Sequence, residues 1–248
     1  MTPDFAHVAD DFFVNMELST ALELSGERET ILQFFEAVQK QFPEMTSFFQ
    51  RESGEYVLEG DRENGSYRWL ELQPRRLTAG YFNPPKLEDG YKLHDWLLHR
   101  SVFFLGVSAL DVEALDVIYG FNLDCKGNRD AVTTSALLPG SSLGAMVLDE
   151  GLTPVQFEPS VIVAVDPECS IQARLLLETR NSSYQVRTGR YEMEPISVYL
   201  TVRAYPRPEE VFNTRESLSR LSKVAEDLTS RLLIPHIIQP IASAIASQ

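Results

Sequence analysis

The chain has 248 residues, 44% hydrophobic and 23% charged, a composition that buries a core without disulfide or metal staples and excludes bulk disorder. Its 22 basic residues against 36 acidic ones leave a net charge of −14, which repels phosphate and excludes the counterion-release affinity behind non-specific nucleic-acid binding. No basic block, CxxC pair or run of about 20 strongly apolar residues is present, so the expectations are no nucleic acid, no metal or cofactor and no membrane span.

The opening MTPDFAHVADDFF carries acids and lacks the basic and apolar regions of a signal peptide, and Cys125 and Cys169 read as free thiols; both point to a cytoplasmic setting. Phe12, Val14, Met16 and Leu18 then alternate with Phe13, Asn15 and Glu17, which predicts a half-buried strand. Glu27 and Glu29 suit a helix N-terminus, and Ile31, Phe34, Phe35, Val38 and Phe42 recur at helical spacing until Pro43. Strands follow at Ser47–Gln50, Tyr56–Glu59, Ser66–Leu72 and Leu77–Phe82, separated by turn residues. A helix opens at Glu88-Asp89 and runs past Trp96 to Phe103-Phe104.

From Val112 the order starts again. Val117, Tyr119, Phe121 and Leu123 alternate as a strand, and KGNRDAV opens a helix with Asn128 as its cap. Pro139-Gly140 interrupts that helix, which resumes over Ser141–Leu148. Strands are expected at Val155–Val165, Ile171–Thr179, Tyr184–Arg187 and Ile196–Tyr205, and a long C-terminal helix at Asn213, with Glu216 completing a capping box. Pro235 is expected to kink or break it.

The blocks SGERETI (25–31) and KGNRDAV (126–132) share Gly, Arg, an acid and an aliphatic at the same offsets, each after an alternating strand. The repeated element order predicts an α+β fold of two tandem units, residues 1–110 and 111–248, each a strand, a helix, three or four antiparallel strands and a helix. That order resembles the fold of the TATA-box-binding protein, and the resemblance carries no function here. The alternative is a helix-grip fold, with a curved antiparallel sheet around the C-terminal helix. Separately, the strand DFFVNMELS, the helix YKLHDWLLHRSVFF and the strand ALDVIYGFNL resemble a sporadically distributed bacterial family of uncharacterised function. Where that family has an Arg-Tyr pair, this chain has Tyr119-Gly120-Phe121.

Motifs that could carry chemistry are few. Gly140-Ser141-Ser142-Leu143-Gly144 spells G-x-S-x-G, but the preceding residues read as a helix end and not as the strand a nucleophile elbow requires. His94 and His99 lie five apart on a helix and point to different faces, with His7 and His236 remote. The carboxylate pairs Asp10-Asp11, Asp149-Glu150 and Glu209-Glu210 sit at element boundaries, where acids serve as caps and solvated turns. Arg28 and Arg129, related by the repeat, would clamp an anion if the halves faced each other across a pseudo-twofold axis. Ile234, Ile237, Ile238, Ile241 and Ile245 form a stripe too apolar to leave in water, and it is expected to dock on a second copy of the chain. The functional expectation is a non-catalytic protein that binds a protein partner or forms a homodimer. The competing expectation is a small-molecule binder or enzyme with an apolar pocket between sheet and helices.

Overall fold

Alternation over Asp11–Thr20 forms β1, which places Phe12, Val14, Met16 and Leu18 in the core and leaves Phe13, Asn15 and Glu17 half-buried on the opposite face. The computed structural model describes residues 5–208 and 210–248. After β1 come α1 (Arg28–Gln41), β2 (Met45–Gln50), β3 (Tyr56–Gly60), β4 (Tyr67–Gln73), β5 (Arg76–Phe82) and α2 (Leu87–Phe104). The second series is β6 (Val112–Lys126), α3 (Arg129–Leu137), α4 (Ser142–Gly144), β7 (Ser160–Ala164), β8 (Ile171–Glu178), α5 (Ser183–Thr188), β9 (Met193–Ala204), α6 (Thr214–Leu228) and α7 (Gln239–Ala246).

The fold is α+β, with nine strands in one antiparallel sheet ordered β2-β3-β4-β5-β1-β6-β9-β8-β7. In each half the first strand pairs with the last and the others follow as a meander: β1-β5-β4-β3-β2 and β6-β9-β8-β7. The two halves thus wind alike, although the first half has one more strand. The halves meet where β1 pairs with β6, so a single sheet runs through both. The sheet is open, with β2 and β7 as separate edges and the C-terminal helix lying on one face; this corrects the helix-grip alternative.

The longer helices share a face. Helix α2 packs on β1 and β5, α6 on β6 and β9, and Gly90 of α2 lies against Val14 so closely that a Cβ there would meet its Cγ1 at 2.4 Å. Between them Tyr91 of α2, Tyr119 of β6 and Glu226 of α6 form a hydrogen-bonded chain, with Tyr91 donating to Glu226 at 3.0 Å. Burial drives both phenols far above their ordinary pKa, so they stay protonated and serve as fixed dipoles.

Three local expectations are corrected. Tyr184–Arg187 is not a strand but part of α5: Ser182 and Gln185 form a reciprocal capping box, and Gly189 closes the helix with left-handed backbone. The strand expected from Val155 begins only at Ser160, after Pro154 and Pro159. Of the kink or break expected at Pro235, the break is absent, because helical winding runs on through it. Residues Thr229–Ile238 are π-helical and join α6 to α7, the wider winding accommodating a residue that lacks an N–H.

The tail accordingly stays on its own domain. Ile238 and Ile241 are wholly buried in the core, and Ile234, Ile237 and Ile245 pack partly buried against it. Ile238 and Ile241 are thus covered within the chain, which corrects the expectation that the whole stripe docks on a second copy, while Ile237 stays partly exposed in a groove beside the edge strand β7. No helix among the described residues is long and apolar enough to cross a membrane.

Candidate functional site

The second set of alternating positions builds the surface that the helices leave bare. The register sets its side chains in rows across the strands. One row runs Tyr67, Phe82, Phe13, Gly120, Tyr199 and Leu176 from β4 to β8. Tyr67 stacks on Phe82 at 5.3 Å between centroids, Phe82 on Phe13 at 6.2 Å, and Phe13 reaches Tyr199 at 6.0 Å across β6. Gly120 makes that reach possible, since a Cβ there would lie 1.9 Å from Phe13 Cζ.

The next row repeats the device. Over Gly80 lean Asn15 and Trp69, whose Oδ1 and Nε1 would lie 2.0 and 2.6 Å from an added Cβ. Two strand glycines, one in each half, therefore seat larger neighbours and give an aromatic floor at the sheet centre. The cation ends of this floor are Arg62, over the Tyr67 ring at 5.6 Å, and Arg180, which donates to the Tyr199 hydroxyl at 2.7 Å.

The third row is charged: Glu71, Thr78, Glu17, Asp116, Arg203 and Gln172. Arg203 holds Asp116 in a bidentate pair, Nε and Nη2 donating at 2.7 and 2.5 Å, and this bonding raises the guanidinium pKa further. Glu17 has Arg76 at 3.3 Å. Burial nevertheless raises the Glu17 pKa, with Arg76 opposing the shift and Asp116 adding to it. Beside this row, Glu17, Asp116, Ile118, Ile162, Arg174, Thr201 and Arg203 line a depression of about 250 Å³. The carboxylates are neutralised by arginine, so the arrangement suits recognition through paired charges and aromatic faces.

The residues singled out from sequence lie elsewhere. Arg28 is exposed at the start of α1. Arg129 is wholly buried, its Nε donating to Thr179 O at 2.5 Å and its Nη2 pairing with Glu194 at 2.7 Å. The structure does not bring the two into one site, and the Arg129 charge is spent on this chain's own groups. With Asp130, which accepts from Thr179 Oγ1 at 2.6 Å and Asn181 Nδ2 at 2.7 Å, it anchors the residues after β8. Ser142 opens the single turn of α4 after a helix, so the elbow geometry is missing. His94 is buried in α2 and His99 exposed, with its ring edge on Phe103. Asp10 accepts from the Asp124 amide and Asp11 from Asn83, the cap-like roles expected of them. Of the Glu209-Glu210 pair, Glu209 lies outside the described residues.

Sequence reasoning missed the bare face because it followed the buried alternation. The usable signal was the complementary set in the same strands, with aromatics at Phe13, Tyr67, Trp69, Phe82 and Tyr199 and glycines at Gly80 and Gly120. No protein-family model matches the chain, and no curated protein matches it.

Proposed function

We propose that the protein acts by binding and not by turnover, and that a partner protein docks on the helix-free face of its sheet. The observation that carries this reading is the aromatic row Tyr67–Phe82–Phe13–Tyr199, half-exposed at the centre of a nine-stranded sheet. Aromatic side chains with polar rims are the anchors that protein interfaces favour. The flanking ion pairs supply charge complementarity for register. An acidic chain with paired arginines offers a nucleic-acid backbone little, so a polypeptide is the partner that fits. The same reading takes the halves as copies of one unit, supported by their common winding.

The small-molecule reading has less behind it. The depression on this face is about 250 Å³, and the apolar groove between the sheet and the C-terminal helix, lined by Val161, Leu175, Leu228 and Leu233, is about 280 Å³; both are open and below the roughly 300–1,000 Å³ of ordinary ligand pockets. The test is a photoreactive phenylalanine analogue at position 82, with the same analogue at the exposed helix position 103 as control. Crosslinking in cells should give a discrete adduct from position 82 that Tyr199→Glu abolishes. Equal crosslinking from both positions would reject the bare face as the working surface.

A further inference from the structure

Strand β7 forms a sheet edge along which every residue is exposed. Ser160-Val161-Ile162-Val163-Ala164-Val165 holds no charge and is bounded by Pro159 and Pro167. Val161, Ile162 and Val163 are 52%, 61% and 50% exposed, on both faces of the sheet. Natural sheets blunt such edges with charges, bulges or covering loops, because a free row of N–H and C=O groups invites another strand. The opposite edge, β2, is also uncharged and, after Met45, exposed, but it carries a bulge between Met45 and Ser47 and is flanked by the ion pairs Arg68–Glu44 and Arg51–Glu71. At β7 the neighbouring acids are turned inward. Glu158 accepts from the Thr179 and Arg180 amides at 2.8 and 3.1 Å, and Asp166 from the Ile171 amide and from Arg207, both at 2.9 Å.

The hydrogen-bonding phase of this edge follows from the ladder. Val165 N–H donates to Ile171 O at 2.8 Å and Leu177 N–H to Pro159 O at 3.1 Å, so the odd-numbered residues face β8. Ser160, Ile162 and Ala164 therefore present their backbone groups outward. A second β7 laid antiparallel with Ile162 opposite Ile162 sets Ser160 against Ala164, and each outward donor then meets an outward acceptor. The edge is complementary to itself about one twofold axis, which is what an isologous contact demands.

We propose that β7 pairs with the β7 of a second copy of this chain, joining two nine-stranded sheets into one continuous sheet. The same contact covers the apolar groove that opens at this edge. That groove, about 280 Å³, is lined by Val161, Val163, Leu228, Leu232, His236 and Ile237, with no acid or strong base among its lining residues. No like-charged side chains therefore face each other within the groove. Val161 and Val163 share their face with the C-terminal helix, so pairing brings the π-helical segments of the two copies toward each other across the axis. This dimer is independent of the protein-binding reading above, and it would set two bare faces side by side.

Light scattering tests the pairing. The native protein at about 100 μM should show twice the 28.0 kDa chain mass and should return to a single mass on dilution. Ile162→Pro removes the central outward N–H and leaves the bonds to β8, so it should be monomeric with an unchanged circular dichroism spectrum. Two checks do not depend on that variant. In a Cys169→Ser background Ile162→Cys should crosslink on oxidation and Leu110→Cys should not, because opposed Cα atoms about 5.5 Å apart suit a disulfide. In the native chain, amide exchange at Ser160, Ile162 and Ala164 should slow as concentration rises. A native monomer, a dimer that survives Ile162→Pro, equal crosslinking by both cysteines, or concentration-independent exchange would each overturn the proposal. A monomer whose edge accepts only an unrelated peptide would overturn it equally.

Discussion

Replacing Ile238 by alanine asks whether the C-terminal helix belongs to the core of its own chain. Ile238 is 0% exposed and lies in the π-helical segment just before α7, among residues that pack on the core. Truncating a fully buried isoleucine removes its transfer free energy and leaves a cavity, a loss of about 2–5 kcal/mol. The π-helical backbone is held from both ends by α6 and α7, so collapse around the cavity is limited and a loss of about 3 kcal/mol is expected. For a chain of 248 residues this lowers Tm by about 6–12 °C. Urea titration and thermal melting at two protein concentrations tenfold apart read the effect. Because the burial is within one chain, the loss should be the same at both concentrations. A loss under about 1 kcal/mol, or one that shrinks as concentration rises, would refute intramolecular docking of the tail.

Three further outcomes follow from the packing. Burial pulls the His94 pKa down to about 3 from its ordinary 6.5; the Ala79 backbone opposes the shift weakly, though neither ring nitrogen is in hydrogen-bonding geometry. A base depressed in the folded state favours unfolding as acid charges it, so stability should fall below pH 6.5 by up to about 1.4 kcal/mol per unit, and His94→Leu should flatten the slope in urea midpoints. Against burial, which raises it, bonds from the Ile171 amide, Ser170 and Arg207 hold the Asp166 pKa at about 2, below its ordinary 3.8. That contribution is present above pH 3.8 and lost as pH falls toward 2, so Asp166→Asn should abolish the part of the acid transition in this window that amide exchange reports from the β7–β8 turn. Gly120→Ala should cost about 1–3 kcal/mol by expelling the Phe13 ring, and Phe13→Ala in the same chain should recover part of the loss in a double-mutant cycle.

Element order was largely legible because period-two and period-3.6 patterns survive in single strands and helices, as at Phe12–Leu18 and Ile31–Phe42. Failures came where two local signals competed. At Tyr184–Arg187 a β-prone Tyr and Val outweighed the Ser182/Gln185 box, yet backbone capping decides so short a segment. At Pro235 the rule that proline breaks helices holds for α-winding, and the π-winding around it evades the clash. The candidate site was illegible for another reason. A row such as Tyr67–Phe82–Phe13–Tyr199 draws on strands far apart in the chain, and only the pairing register aligns it. The Arg129 assignment failed because sequence offset locates a residue on an element but says nothing of whether carbonyls wait for its guanidinium.

The claim that the bare sheet face is the working surface is tested most directly by hydroxyl-radical footprinting of the same protein, purified and in its host cells. In the purified protein Trp69, Tyr67, Phe82 and Tyr199 should label in proportion to their half-exposed surfaces, alongside Phe103 and Tyr184. In cells the four sheet-face aromatics should be shielded while Phe103 and Tyr184 label as before. Unchanged labelling of all six residues between the two settings would contradict the account.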